Sequence, residues 1–545
     1  MSIGDLFVRK QKLNKFNYFP ERKFTCNMGE LVPIMFEEVL PGDVWKLNAT
    51  ALIRLQPMVF ATMHNIKAYT HWFFVPYRLL QDNFEQFITG GEDGQDATPI
   101  PTVNSGESGW SAGSLADYLG YTTGVTNLTA TAYAFRAYNL IFNEWYRNQN
   151  TTEPVALSRG DGEDTTTSQQ LLHRCWQADY YTACLPWAQR GAQIMLPLDT
   201  QANVQVFGNG KNMIFTDGTN ERSLVNGMGG NVTNNTYALG TSSTASSSVG
   251  TSATHNDFGG TTRAIGLSTD PNKSGLTGIA DLTDASAVSV NELRQAVQLQ
   301  VAAEIAARTG GRYVEYLLGN FGVRSSDARL QRPEYLGGGV SSVLIEPIYQ
   351  NSATESGTTP QGNIAGKGIS VNTSHAFKHK FTEHGCIVGL MSIMPATGYF
   401  QGLRRQFNRK SRLDFALPVF SHLGERKVPE VEIFAQSDNA STTVDGVSIT
   451  NDTTFGYLPQ YEEYRQMPST VHGDFKTSLK SYHLDREFAN PPMLNDTFVY
   501  CNPSKRIFAV TDESVDSCMV EIGYNITAWR PLPKQGVPCL LDHLF

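Results

Sequence analysis

Apolar residues recur at every second position in several segments of the chain, a pattern that predicts β-strands. Residues 66–75 are apolar or aromatic on both faces, as expected for a strand at the centre of a sandwich. In residues 45–55 the apolar positions share one face: Trp45, Leu47, Ala49, Ala51, Ile53 and Leu55. Residues 520–528 alternate in the same way, and shorter apolar runs predict strands at 385–394, 497–501 and 506–510. Because these segments are far apart in the sequence, we expect a sheet built from long-range pairings.

Two segments carry a helical period instead. Residues 133–147 place large apolar side chains on one helix face: Phe135, Tyr138, Ile141, Phe142 and Trp145. Residues 291–308 predict a second helix, because Ser289 and Glu292 have the spacing of a capping box and Gly310 and Gly311 follow its end. Its apolar stripe comprises Leu293, Ala296, Val297, Val301 and Ile305.

Between these two helices lies a polar tract of low complexity. Ser, Thr, Gly and Asn make up about 35 of the 60 residues of 221–280, a composition that cannot form a core of its own. The tract is either a linker between two domains or an insertion on the surface of one domain. Because neither flank has enough strands to close a sandwich alone, we favour the insertion.

Composition and charge exclude several classes of protein. Charged residues make up 17% of the chain, against about 25% in an average domain, and the formal net charge is −9. An acidic chain, taken as a whole, is not a nonspecific nucleic-acid binder. No stretch approaches 18 consecutive apolar residues, so we expect no membrane insertion. The seven scattered cysteines include no C-x-x-C, which favours buried thiols over a disulfide framework.

Catalytic and metal motifs are weak in this sequence. GNIAGKG (362–368) is one residue too short for a phosphate loop and ends in Gly, so we interpret it as a turn. His379, His384 and Cys386 lack the regular spacing and the second ligand pair of a zinc site. The acidic segment 161–164 lacks a calcium-loop pattern and is interpreted as a solvated turn. The sequence therefore predicts no cofactor and no enzyme, and it does not identify a bound metal.

One cluster of cations is a candidate contact for single-stranded nucleic acid. Within nine residues and without an acid stand Arg404, Arg405, Arg409, Lys410 and Arg412. Aromatic residues flank them, namely Tyr399, Phe400, Phe407 and Phe415. Cations contact phosphates and aromatic rings stack on unpaired bases, but the same arginines could pair with acids on a neighbouring element or subunit. A second basic group lies near the N-terminus: Arg9, Lys10, Lys12 and Lys15.

Several segments together resemble the major capsid proteins of the Microviridae, in particular the gokushovirus-type branch. They occur in order along most of the chain: ERKFTCNMGELVPIMFEEVLPGDVW (21–45), MHNIKAYTHWFFVPYRLL (63–80), FRAYNLIFNEWYRNQN (135–150), DYYTACLPWAQRG (179–191), ARLQRPEYLGGG (328–339), VHGDFK (471–476), PSKRIFAV (503–510) and WRPLPKQGVP (529–538). The resemblance leaves out residues 205–288 and a stretch near 437–452.

The resemblance implies an architecture for the whole chain. It implies an eight-stranded antiparallel jelly-roll sandwich, mainly β, with long inserted loops and a few helices. We expect a basic N-terminal arm at 1–30, the core at 31–204 and 289–545, and a surface insertion at 205–288 that forms a protrusion at a threefold axis.

It also implies a function and a set of partners. Sixty copies would form a small icosahedral virion shell around a circular single-stranded DNA genome, with a small basic DNA-binding protein and minor virion proteins. Assembly would take place in the host bacterial cytoplasm. The insertion would meet a host-cell receptor through candidate residues Asn231, Asn234, Tyr237, Ser242, Thr244 and Ser246. The alternative function is a β-sandwich protein that binds or hydrolyses carbohydrate, since a carboxylate pair on sandwich loops needs no linear motif.

Overall fold

The computed structural model describes residues 12–92, 95–192, 194, 290–309, 312–352, 354 and 361–534, together with five short strands between residues 204 and 280. The chain divides into two compact units. The first comprises Met1–Ala192 and Val301–Phe545, and the second comprises Gln193–Gln300.

Most of the regular structure is β. The strands are, in chain order, β1 (Asn14–Tyr18), β2 (Glu21–Cys26), β3 (Val32–Val39), β4 (Val44–Leu55), β5 (Ile66–Pro76), β6 (Thr102–Asn104), β7 (Thr129–Thr131), β8 (Val204–Gly208), β9 (Ile214–Thr216), β10 (Glu221–Ser223), β11 (Gly266–Leu267), β12 (Leu276–Ala280), β13 (Glu334–Tyr349), β14 (Ile364–Lys380), β15 (Gly385–Pro395), β16 (Glu425–Pro429), β17 (Thr442–Val444), β18 (Val447–Ile449), β19 (Thr454–Pro459) and β20 (Cys518–Arg530). The α-helices are α1 (Phe84–Thr89), α2 (Leu115–Leu119), α3 (Tyr133–Ile141), α4 (Val290–Thr309), α5 (Tyr313–Phe321) and α6 (Asp496–Val499).

The main sheet of the first unit is antiparallel and has eight positions. Strands β1 and β2 lie end to end along β20 and share the first position. The order then runs β20, β4, β14, β13, β5, β15 and β3. The long strands β13 and β14 each pair with different neighbours along their two halves, which carries the sheet around a bend.

The bend brings the two halves of the sheet face to face. The Tyr524 hydroxyl on β20 donates to the Ile34 carbonyl on β3 at 2.7 Å, although these strands are six positions apart in the sheet. The Tyr524 ring also packs edge-on against Trp72 of β5, with centroids 6.2 Å apart. This curled antiparallel sheet confirms the predicted mainly-β sandwich.

The core lies between these two halves and follows the predicted patterns. All six apolar residues on the predicted face of β4 are buried, and so are the alternate residues of β20 from Val520 to Ala528. Strand β5 is buried on both faces from Trp72 onward, with Trp72 toward the sandwich core and Phe73 toward a second apolar cluster beneath the helices, while the outward residues before Trp72 are half-buried. Each large side chain buried in this way contributes about 1.5–3 kcal/mol to folding.

The helical layer covers the outer face of β5 and β15. Helix α3 buries Phe135 and Tyr138 as predicted and continues into a π-helix at Phe142–Tyr146. Its Arg136 forms a buried ion pair with Asp164 at 2.7 Å, with side chains 1% and 0% exposed. The acidic segment 161–164 is therefore not the solvated turn that the sequence suggested, because Asp164 serves as the internal partner of a helix cation.

The remaining helix and strand predictions have mixed outcomes. The predicted helix at 291–308 is confirmed by α4, but its stripe residues Leu293, Val297 and Val301 are exposed. The strands predicted at 497–501 and 506–510 are wrong, since helix α6 occupies the first and a turn with a single bridge at Phe508 occupies the second. No helix among the described residues is long and apolar enough to cross a membrane.

The second unit contains the short strands β8 to β12. They form two small antiparallel sheets, one of β8 with β12 and one of β9 with β10 and β11. The predicted insertion at 205–288 falls within the sequence range of this unit.

Candidate functional site

The basic cluster at 404–412 lies in the connection between β15 and β16. This connection folds into 3₁₀ turns at Arg405–Phe407, Arg412–Asp414 and Pro418–His422. The Asp414 carboxylate accepts the backbone N–H groups of Lys410 at 3.0 Å and Ser411 at 2.7 Å, which closes the cluster into a tight loop. Burial opposes ionisation of Asp414, but these hydrogen bonds outweigh it and lower its pKa.

Arg405 is held by acids of its own chain. Its Nη1 lies 3.0 Å from Glu432 Oε1 and its Nη2 lies 3.1 Å from Asp414 Oδ1. The Glu432 side chain is 1% exposed and also accepts the Tyr180 hydroxyl at 2.9 Å. Burial raises the pKa of Glu432, while Arg405 acts against that rise. Arg405 therefore stabilises a buried carboxylate within the subunit.

Arg409 is also engaged within the chain. Its guanidinium lies over the rings of Phe415 at 5.0 Å and Tyr464 at 5.3 Å. It donates to the Tyr464 hydroxyl at 2.9 Å and lies 3.8 Å from Glu463. Arg409 is thus engaged by two rings, a hydroxyl and a carboxylate of its own chain, and we infer that it orders the loop.

Three cations of the cluster are more available. Lys410 lies 3.3 Å from Asp452, but both side chains are exposed, by 70% and 77%, so this pair contributes little. Within the part of the chain that the structure describes, Arg404 and Arg412 have no ion-pair partner. Arg404, Lys410 and Arg412 are therefore the cations of the cluster that can bind an external anion.

The aromatic residues around the cluster also divide into exposed residues and residues that pack within the chain. Phe407 and Phe415 are 67% and 59% exposed and offer ring faces at the surface. Tyr399 is buried and donates to Asp179 at 2.7 Å, and Phe400 packs against His483. Tyr464, which is exposed beside Arg409, was missed from the sequence because it lies more than fifty residues further along the chain.

The other predicted site residues are only partly described. Lys12 and Lys15 are exposed, with Lys15 on β1 opposite Trp529 of β20. Arg9 and Lys10 lie outside the described residues. So do all six candidates for host attachment: Asn231, Asn234, Tyr237, Ser242, Thr244 and Ser246.

The described residues contain no group of three His, Cys, Asp or Glu side chains that could hold a metal ion. Cys386 is buried on β15, and burial raises the pKa of its thiol. Gly366 and Gly368 of the rejected phosphate-loop motif lie within β14. A Cβ at Gly366 would come within 2.5 Å of the Phe60 carbonyl oxygen, so close backbone packing accounts for this glycine.

Exposed apolar surface is the second candidate functional feature. Helix α5 buries none of its residues, and Tyr313 and Phe321 are each 64% exposed. Leu344 on β13 and Val371 on β14 are also exposed. A helix this apolar is normally buried, and apolar patches of this kind mark contacts with other proteins. The composition of residues 313–321 could have revealed this surface, because the segment has almost no polar face.

Comparisons with known proteins identify the family. Residues 10–540 match the family described as capsid protein (F protein). The chain is 38% identical to capsid protein VP1 of Chlamydia phage 1, over 95% of this chain and 94% of the relative. It is 35% identical to capsid protein VP1 of Bdellovibrio phage phiMH2K, over 96% and 95%, and 29% identical to that of Spiroplasma virus 4, over 99% of each. The chain therefore belongs to the F-protein family of Microviridae capsid proteins and is a gokushovirus-type major capsid protein.

Proposed function

We propose that sixty copies of this protein form a small icosahedral shell around a circular single-stranded DNA genome. Family membership already makes the chain a structural subunit that self-assembles into a viral shell and resides in the virion. The match over residues 10–540 is the observation that carries the proposal. Exposed apolar surface on α5 and on β13 and β14 supports it, because a closed shell covers such surface by symmetric contacts.

The division of the chain is part of this proposal. Residues 31–204 and 289–545 form the shell core, and residues 1–30 are an arm whose later part is anchored by pairing of β1 and β2 with β20. Residues 205–288 form a surface insertion that protrudes at the threefold axis and meets a host receptor. The separate compaction of Gln193–Gln300 supports this assignment.

In this proposal, local groups of cationic side chains contact the genome. Sixty subunits of charge −9 carry about −540 in formal charge, so the subunit as a whole cannot neutralise DNA. Among the residues that the structure describes, the candidates for phosphate contact are Arg404, Lys410, Arg412, Lys12 and Lys15. A separate small basic protein supplies further positive charge, minor virion proteins complete the particle, and assembly proceeds in the host bacterial cytoplasm.

The proposed function includes no catalytic step. The relatives are capsid proteins by name, and the comparisons do not favour the carbohydrate-active alternative.

Expression of the protein with its partner genes tests the proposal. We expect electron micrographs to show small uniform shells with threefold protrusions that contain nuclease-protected single-stranded DNA. A monomer that stays stable at every concentration and with every partner combination would refute it. The triple variant R404Q/K410Q/R412Q should still form shells but retain less DNA as salt rises, because each lost phosphate contact weakens binding. The matched control is K427Q, which removes a cation from β16 outside the cluster.

A further inference from the structure

A cavity of about 480 Å³ opens on the outer face of β5, away from the basic cluster. Tyr69, His71 and Phe73 line it, and they alternate with the core-facing residues of the strand. The π-helix after α3 contributes Trp145 and Tyr146, and β13 contributes Tyr335. The volume is that of a pocket for a small molecule.

The walls of this cavity are an array of aromatic rings. Tyr335 lies within 6 Å of three of them, with centroids 5.8 Å from His71, 5.5 Å from Phe73 and 5.8 Å from Trp145. His71 Nδ1 lies 2.6 Å from the Tyr146 hydroxyl, which fixes both side chains. Tyr335 is itself 43% exposed, so part of this residue remains accessible to a ligand.

Among the residues that the structure describes, two cations and no acid line the cavity. The Arg174 guanidinium stacks on Tyr69 at 4.4 Å and uses one N–H to reach Ser392 at 3.1 Å. Lys67 lies beside Tyr69 on β5 and has no ion-pair partner among the described residues. The described part of the lining contains neither Asp nor Glu, in contrast to the basic cluster, where Asp414, Glu432 and Glu463 pair with the arginines. Aromatic rings that line a cavity beside cations without an ion-pair partner among the described residues fit a planar ligand that carries an anion.

The π-helix adds an independent observation. Such segments are rare and often occur at functional sites. Here the π-helix brings the adjacent residues Trp145 and Tyr146 to the same cavity.

We propose that this cavity binds one unpaired nucleotide of the packaged DNA, with the base stacked on the aromatic wall and the phosphate at Lys67 and Arg174. Aromatic rings and guanidinium planes stack on any unpaired base, so the contact does not depend on sequence. The inference rests on the proposed enclosure of single-stranded DNA and names a second contact for that genome.

Photocrosslinking inside virions tests the inference. Virions are grown with bromodeoxyuridine, irradiated and digested with nuclease, and the nucleotide adducts are mapped by peptide mass spectrometry. We expect adducts on peptides that contain Tyr69, Trp145 or Tyr335. Variant Y335L should lower the adduct yield by about fivefold or more, since stacking on one base is worth about 1–3 kcal/mol. Variant K67Q should also lower it, because it removes a phosphate contact. Variant Y464L is the matched control, because it removes an exposed ring at the basic cluster instead.

The outcomes distinguish a failure of the cavity inference from a failure of the proposed function. DNA-filled virions whose adducts lie only at the basic cluster, and fall in Y464L but not in Y335L or K67Q, would overturn the cavity inference alone. A virion protein crosslinked in the cavity would also overturn it, because the occupant would then be a peptide. Shells without DNA would overturn both this inference and the proposed function. K67Q keeps the test valid if Y335L fails to fold.

Discussion

Replacement of Arg405 by Ala is expected to destabilise the subunit, because this arginine serves buried acids. The change leaves the Glu432 carboxylate, 1% exposed, without its ion-pair partner, while the Tyr180 hydroxyl still donates to it and Arg426 still acts on it electrostatically. Removing one partner from a buried ion pair costs about 3–5 kcal/mol. Asp414 is 19% exposed and keeps its backbone hydrogen bonds, so the lower end, about 3 kcal/mol, applies.

The loss should also depend on pH. Burial raises the pKa of Glu432 above its value in the unfolded chain, and removal of Arg405 raises it further. The folded state then binds more protons than the unfolded state, so stability falls as pH rises from the unfolded pKa through the folded one. R405A should therefore lose more stability at neutral pH than in mild acid.

Urea unfolding of the purified subunit, followed by tryptophan fluorescence, measures this effect. The matched control is R412A, which removes an exposed arginine of the same loop and should change the free energy of unfolding by less than about 0.5 kcal/mol. If R405A were as stable as R412A while its shells lost DNA, Arg405 would be a genome contact and the internal assignment would be wrong.

Three further predictions concern other parts of the subunit. D164A should lose about 3–5 kcal/mol in the same assay, since it leaves Arg136 buried without its partner. Burial raises the pKa of Glu430 to about 8, so wild-type stability should fall as pH rises toward that value, and E430Q should weaken this dependence in urea titrations across pH. Cys386 and Cys501 are buried and their thiols have raised pKa values, so native protein should resist alkylation there until urea is added, as mass spectrometry of their peptides would show.

Local periodicity was enough to predict strands β4 and β5 and helix α3. The period of two placed all six apolar residues of 45–55 on the buried face of β4, and the two-sided pattern of 66–75 identified the doubly covered β5. These predictions succeeded because each segment is long and its side-chain environment repeats along it.

The failures arose where distant residues or short segments decide the outcome. The run at 497–501 is helical because the Asn495 side chain accepts the Phe498 N–H and caps α6. The acids that hold Arg405 and Arg409 come from Glu432 and Glu463, which no local pattern connects to the cluster. The aromatic cavity gathers residues of β5, the π-helix and β13, so it is visible only after folding.

The pairing of the first strands with the last one has a consequence for synthesis in the cell. Phe24 of β2 is the partner of Val520 of β20. Strand β2 can therefore pair in the sheet only when nearly the whole chain has been made. At roughly 5–20 residues per second, a ribosome needs on the order of half a minute or more for 545 residues. During that time β4 has no partner on its β20 side, an open edge that invites aggregation. The main sheet is therefore complete only after β20 has been synthesised.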